Sequence, residues 1–538
     1  MKIHPQAKAT DKPTQTARRG LVNGALLLSL AALIAKVLSA VYRIPLQNLV
    51  GNTGFYVYQQ VYPLYGIAMT FALSGLPVFI SKLIAEVTDP WRQRLVARRI
   101  FVILAGFGLC LFIGLFVGSH GIAAAMGDTG LTPLIQVVAG MALFLPFLAV
   151  GRGLAQGQFN MRPTAISQVL EQVVRVMVII VVAWLAAHQH WNVYRMGAWA
   201  MSGALFGAVA ALIVFGQTYR SLFRPLPATK PVATNDHWRT LMGRLWQEGG
   251  TICLFAAVVI LLQLVDSFTV KRGLVASGLT DPAAKSLKGV YDRAQPLIQL
   301  GLVVATSFSA TLLPALSVAW RQQRQQAIQM TLTMLIHISL ALSAAATIGL
   351  VVLMPLINLV LFGSETGSLA LAIYCLSIIF ASLISTYNSI LQSMNQYRLS
   401  LIALTAGLIV KGCFNYWAVY VWGINGASWL TVISLAAMML ILWLGSPTSM
   451  RTALTHGSFV RKLVGTVGTM GGLAGLASWL FQLWLPLTRG SAILMVAICV
   501  VIGMSVFVGL ALWGQLFSMR EWLTLPGGRR LLKLTKRN

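Results

Sequence analysis

Eight charged side chains interrupt stretches that are otherwise apolar enough to cross a bilayer: Lys36, Arg43, Glu171, Arg175, Asp266, Asp292, Arg293 and Lys411. An ion at the bilayer centre costs roughly 2.5–3.5 kcal/mol on insertion scales, so each should face a polar cavity or a partner. Lys36 and Arg43 are seven residues apart, which puts them on nearly one helix face, two turns from each other. Glu171 and Arg175 are spaced i,i+4 with the acid first, so they could neutralise each other as a structural pair. Lys411 has no acidic residue in its own run, only the hydrogen-bonding neighbours Asn415 and Tyr416, and it is the strongest candidate for ligand contact. Asp266 could pair with Arg293, with Lys36, or with a coupling cation. Basic groups outnumber acidic ones, and a low-dielectric cavity lined by cations focuses anions. Arginine matches phosphate oxygens bidentately. A pocket for cationic ligands would instead need unpaired carboxylates and an aromatic cage.

The elements that must position these groups are membrane helices. The chain has 538 residues and is 57% hydrophobic. Apolar runs long enough to span a ~30 Å hydrocarbon core recur throughout. They cover 21–44, 54–84, 98–119, 131–152, 163–187, 195–218, 244–270, 290–318, 327–354, 368–394, 399–422, 426–445, 462–485 and 491–516. No period-2 alternation appears, so the expected class is an all-α polytopic membrane protein rather than a barrel.

Two internal matches divide the fourteen runs. Gln156-Gly-Gln-Phe-Asn-Met-Arg162 with Arg175 thirteen residues on corresponds to Gln392-Ser-Met-Asn-Gln-Tyr-Arg398 with Lys411 thirteen residues on. Tyr58-x4-Pro63-Leu64 corresponds to Tyr291-x4-Pro296-Leu297. Matching helices lie six apart, so the halves are parallel repeats. The expected organisation is a tail (1–20), a first six-helix lobe (21–218), a linker (219–243), a second lobe (244–445), two appended helices (462–516) and a basic tail (517–538). Arg175 and Lys411 then lie at matched depths in the two lobes.

The formal charge of +28 is a topology signal rather than a nucleic-acid footprint, because 29 of the 40 Lys and Arg fall in alternate gaps and tails. By the positive-inside rule both termini are cytoplasmic. All five cysteines stand singly inside apolar runs, as small packing residues. There is no Walker-type phosphate loop, no His pair at ligand spacing and no catalytic constellation, so no enzyme activity and no cofactor are expected beyond a coupling cation.

Several segments give the chain a family likeness. They are Lys36-Val-Leu-Ser-Ala-Val-Tyr-Arg-Ile-Pro-Leu46, Gly51-Asn-Thr-Gly54, the stretch Tyr58 to Pro77 ending in Ser74-Gly-Leu-Pro77, Tyr291-Asp292-Arg293, and Ser309-Ala-Thr-Leu-Leu-Pro-Ala-Leu316. On these the chain resembles the MOP superfamily, in the polysaccharide-transporter branch that contains the MurJ and YtgP/SpoVB lipid II flippases. The resemblance implies two lobes around a V-shaped alternating-access cavity, and a groove for a polyprenyl tail on the last two helices. It also implies that a basic residue of helix 1 and an arginine opening helix 8 line the cavity, positions matched by Lys36 and Arg293. Arg43 lies one place beyond the family's second helix-1 basic position, where this chain has Tyr42. Tyr65–Met69 lacks the helix-2 arginine of the MurJ type, which points to the YtgP/SpoVB side.

The expected protein is therefore a multipass bacterial cell-membrane flippase for an undecaprenyl-pyrophosphate-linked peptidoglycan precursor. Lys36, Arg43, Arg175, Arg293 and Lys411 would contact the anion, with Glu171, Asp266, Asp292 and Asn415 in support. The expected partners are that lipid-linked anionic glycan, membrane lipids and the cell-wall synthesis machinery, with the protein a monomer and no nucleic acid involved. A flippase for another polyprenyl-linked glycan or a teichoic-acid unit, a cation-coupled drug antiporter, and a membrane glycosyltransferase are the rival readings.

Overall fold

The computed structural model describes residues 15–225, 237–307, 316, 319–320, 322–394, 396–455 and 458–524. Pro227 and Pro231 of the linker, most of the Ser309–Leu316 motif, and Arg529 to Arg537 of the basic tail lie outside the described residues. Among the described residues there is no strand, and ten helices are long and apolar enough to span a membrane, with one bent pair adding an eleventh. Each of the fourteen apolar runs falls on a helix, the eighth as far as Ser307.

Helix α1 is Gln15–Val41, continued after Tyr42 as 43–50. Gly51 turns the chain with φ 68° and ψ −176°, a region essentially closed to other residues. Helix α2 follows as 52–70, a π turn Phe71–Gly75 and Leu76–Ala85. Next come α3 (Pro90–Val117), α4 (Thr132–Ala139 and Met141–Gly157), α5 (Met161–His188) and α6 (Val193–Val214). Helix α7 comprises Trp238–Ala256 and Val258–Ala276, bent by 68° where the sequence suggests one straight run. Helix α8 is Asp281–Asp292 followed by Ala294–Ser307, α9 is Gln325–Val352, and α10 is Ser368–Cys375 with Ser377–Ser393. Arg398–Gly445 holds α11 and α12, joined through Gly423 at φ 57°. The chain continues through α13 (Phe459–Trp484), α14 (Arg489–Trp513) and the short α15 (Met519–Thr524).

Apolar packing gathers into separate cores. Two are built from α1 to α6 with contributions from α7. Two more are built from α7 to α12. Helices α13, α14 and α15 form a further core with α9, so the appended pair docks on the second half. Three cysteines are buried, as expected of packing residues, but Cys110 and Cys413 are exposed on helix surfaces.

The end carrying Arg92–Arg99, Arg162, Arg220 and Arg244 is called the basic end below. At the opposite end the halves meet closely. Asn52 bonds Ser286 and Arg293, and a Cβ on Gly289 would stand 2.1 Å from the Asn52 carbonyl oxygen.

Candidate functional site

Helix periodicity in α2 places Tyr58, Tyr62 and Tyr65 on one face, at i, i+4 and i+7. Together with Tyr42 of the α1 break, these rings enclose two guanidinium groups. Arg175 Nη2 donates to Tyr42 OH at 3.0 Å and Tyr58 OH at 3.1 Å, and Nη1 donates to Gln172 at 3.3 Å. Its Cζ lies 4.2 Å from the Tyr65 ring centroid. Arg43 Cζ lies 4.3 Å from the Tyr62 centroid, and although the side chain is fully buried none of its three nitrogens has a hydrogen-bond partner. A buried donor without a protein partner costs about 1–3 kcal/mol, so Arg43 is the least satisfied cation of this cluster.

Lys36 lies on the same helix at a different depth. Leu27, Leu30, Ile34, Val37 and Val41 form the exposed apolar stripe of α1. At 100° per residue Lys36 is roughly 140° round the helix from the centre of that stripe. It is nevertheless exposed, as is Ser29 on its own face, whereas Ala40 and Arg43 beyond it are buried. Lys36 therefore lines an inward-facing opening that enters from the basic end and closes before Arg43. Arg293, at the opposite end, is held by Asn52 at 2.7 Å and Asn358 at 3.1 Å. Among the described residues none of Lys36, Arg43, Arg175 and Arg293 forms an ion pair.

The acidic partners expected from the sequence are placed differently. Glu171 pairs with Arg152 at 2.5 Å, not with Arg175 one turn along its own helix. Arg152 also donates to the Ala72 carbonyl, which the π turn of α2 leaves available, and is wholly buried rather than part of the surface charge at the end of its run. Asp292 pairs with Lys288 at 2.5 Å and does not orient Arg293. The largest correction concerns Lys411. Its ammonium is buried against Asp266 at 2.8 Å and Thr431 at 2.7 Å, while Asn415 and Tyr291 each donate to Asp266 at 3.0 Å. Lys411 is thus internally neutralised, and so is Asp266. Its partner is supplied by α7, 145 residues away in the chain.

The two cations that the sequence matches are therefore held differently. Arg175 is held by neutral groups alone, two tyrosine hydroxyls and the Gln172 amide, whereas Lys411 has a carboxylate. Among the described residues Arg43 and Arg175 have no carboxylate partner, and the Lys411 site is electrically closed. The tyrosine set was missed as a site, although the Tyr58, Tyr62, Tyr65 spacing was open to view. The Arg152–Glu171 pair had only a weak signal, a basic residue ending one run and an acid inside the next.

This fold is that of a polytopic membrane transporter. The particular family follows from the sequence itself: residues 21–320 match the polysaccharide biosynthesis protein family, and the chain belongs to that family. It is 35% identical to the uncharacterized membrane protein YabM of Bacillus subtilis (strain 168), over 97% of each chain. It is 24% identical to the lipid II flippase MurJ of the same organism, over 78% of this chain and 81% of that one. Among solved structures, lipid II flippase MurJ in an inward closed conformation superposes with a TM-score of 0.66 at 14% identity, covering 91% of this chain and 99% of that chain. The resemblance drawn from the motifs, and the all-helical multipass fold it implied, are borne out.

Proposed function

We propose that the protein flips a lipid-linked glycan bearing a diphosphate from the inner to the outer leaflet by alternating access, with undecaprenyl-pyrophosphate-linked peptidoglycan precursor as its substrate. The observation that carries this reading is the set of cations without carboxylate partners, Lys36, Arg43, Arg175 and Arg293, on the inner faces of α1, α5 and α8. A diphosphate brings the acceptors that the Arg43 nitrogens lack, and guanidinium groups match its oxygens in pairs. Lys36 would meet the head group first, at the opening, and Arg43 with Arg175 would hold it deeper, where charge is less screened. The basic end is then cytoplasmic, in keeping with the Lys and Arg distribution. The polyprenyl tail would lie along the appended pair, where Leu473, Leu476, Leu480 and Leu483 of α13 and Val501 and Met504 of α14 are exposed.

A drug antiporter is disfavoured by the same geometry. Glu171, Asp266 and Asp292 each carry an internal cation partner, so among the described residues none of the three is free to greet a cationic drug. The test is depletion of the protein in a strain lacking other flippases, with surface-exposed lipid II measured by its accessibility to an externally added cleaving toxin. The expected result is loss of exposure. Unchanged lipid II exposure with failure of another polyprenyl-linked polymer would reassign the head group, and no effect on any such lipid would end the reading.

A further inference from the structure

At the end opposite the basic one, three side chains of the α7–α8 hairpin reach across to a single turn of the first half. Lys285 Nζ lies 3.1 Å from Asp128 and 2.9 Å from Tyr194 OH. Lys271 donates to the Gly127 carbonyl at 2.6 Å, and Arg272 to the Ala125 carbonyl at 3.4 Å. Gly127 has φ 82°, and a Cβ there would stand 2.9 Å from Arg272 Cγ, so the turn is shaped for this contact. None of these groups belongs to the cation set described above.

Both sides of this contact are already provisioned for its loss. Lys285 also binds Asp281 at 2.8 Å, one turn away on its own helix, and Lys271 pairs with the same Asp281. Asp128 keeps Tyr56 OH at 3.2 Å, Tyr194 OH at 3.0 Å and the Gly130 amide at 3.2 Å. If the halves separate here, no ammonium is left without a carboxylate and no carboxylate without donors. A buried ion pair that strands its partners on breaking is strongly destabilising to open, whereas this one is not built that way.

We propose that Lys285 is the moving part of a reversible latch, which seals the cavity at this end by binding Asp128 and releases it by falling back on Asp281 alone. Burial works against the charge on Asp281, but Lys271 and Lys285 hold its carboxyl below the usual range. Burial likewise opposes the charge on Lys285, yet Asp281, Tyr194 and Asp128 push its ammonium above the usual range. The latch therefore stays charged through neutral pH and answers to conformation rather than to protons.

The proposal rests on the alternating-access reading but not on the identity of the substrate. It is tested by labelling Lys36→Cys with a membrane-impermeant maleimide in oriented vesicles of the full chain carrying Cys110→Ala and Cys413→Ala. Labelling from the basic end, run to completion, should reach the same extent in every variant, which verifies folding. From the opposite end it should be weak, and should rise severalfold with Lys285→Met or Asp128→Asn. Bridging Asp128→Cys to Lys285→Cys with a short bifunctional, cleavable thiol reagent should abolish opposite-end labelling at position 36, read on the peptide that carries it, until the bridge is reduced. Equal opposite-end labelling in the parent and both single variants, or undiminished labelling of the bridged pair, overturns the latch. Labelling that follows the latch would sustain it even if the parent chain, with Lys36 in place, moved no diphosphate lipid, a result that would remove the substrate assignment alone.

Discussion

Arg43 and Lys411 are both wholly buried cations, and replacing each by methionine should move stability in opposite directions. Arg43→Met removes three nitrogens that have no hydrogen-bond partner. Leaving a buried polar group unsatisfied costs about 1–3 kcal/mol, so its removal should return a similar amount. The lost stacking on Tyr62 subtracts roughly 0.5–2 kcal/mol from that gain. The net expectation centres on a gain of about 1 kcal/mol, within a span from about 1 kcal/mol destabilising to about 2.5 kcal/mol stabilising. Lys411→Met instead leaves Asp266 charged and buried, and breaking such a pair from one side costs about 3–5 kcal/mol. Asn415 and Tyr291 still donate to Asp266, which favours the lower figure. Thermal denaturation of the two variants in one detergent, beside the parent, reads the difference. Arg43→Met should be well folded but inactive in translocation, whereas the double change Lys411→Met with Asp266→Leu should regain much of the stability that Lys411→Met alone loses. If Arg43→Met were as unstable as Lys411→Met, the guanidinium would be a structural group and the argument from its empty donors would fail.

Tyr58→Phe removes one of two hydroxyls that accept from Arg175, so translocation should fall severalfold at unchanged membrane abundance; full activity would show that Tyr42 suffices. Gly289→Ala should wedge α8 away from the Asn52 carbonyl and raise opposite-end labelling of Lys36→Cys, with no rise meaning that this approach relaxes without cost. Burial opposes the charge on Glu521, but His337 and the Ser518 amide outweigh it and hold the carboxyl below its ordinary range. Its docking contribution is therefore present above about pH 4.3 and lost as pH falls through the depressed value. Protease cleavage near α15 should stay slow at neutral pH and quicken only in acid. A Glu521→Gln protein with parental cleavage at every pH would contradict this.

Periodicity and charge placement exposed much of the architecture, because a membrane helix must be apolar over a fixed length and cationic loops stay on one side. Lys36 and Arg293 were legible through their neighbours in the chain. What stayed hidden depends on contacts between distant segments. The i,i+4 spacing of Glu171 and Arg175 suggested a pair, yet Arg152 from the preceding helix is better placed for the carboxylate, and Arg175 turns to tyrosines instead. Lys411 looked unneutralised because its acid lies on another helix. The 68° bend of α7 carries no proline to announce it, and Ala257 at the bend is an ordinary helix former.

That bent helix contributes Leu245, Ile252 and Cys253 to a core of the first half and Val258 and Leu262 to a core of the second. Sequence bookkeeping assigns it to one repeat, but its side chains belong to both. A chain severed within 226–236 would consequently yield an amino-terminal fragment with a gap in its interior. The two pieces should regain a folded assembly only when made together in one membrane, each completing what the other lacks.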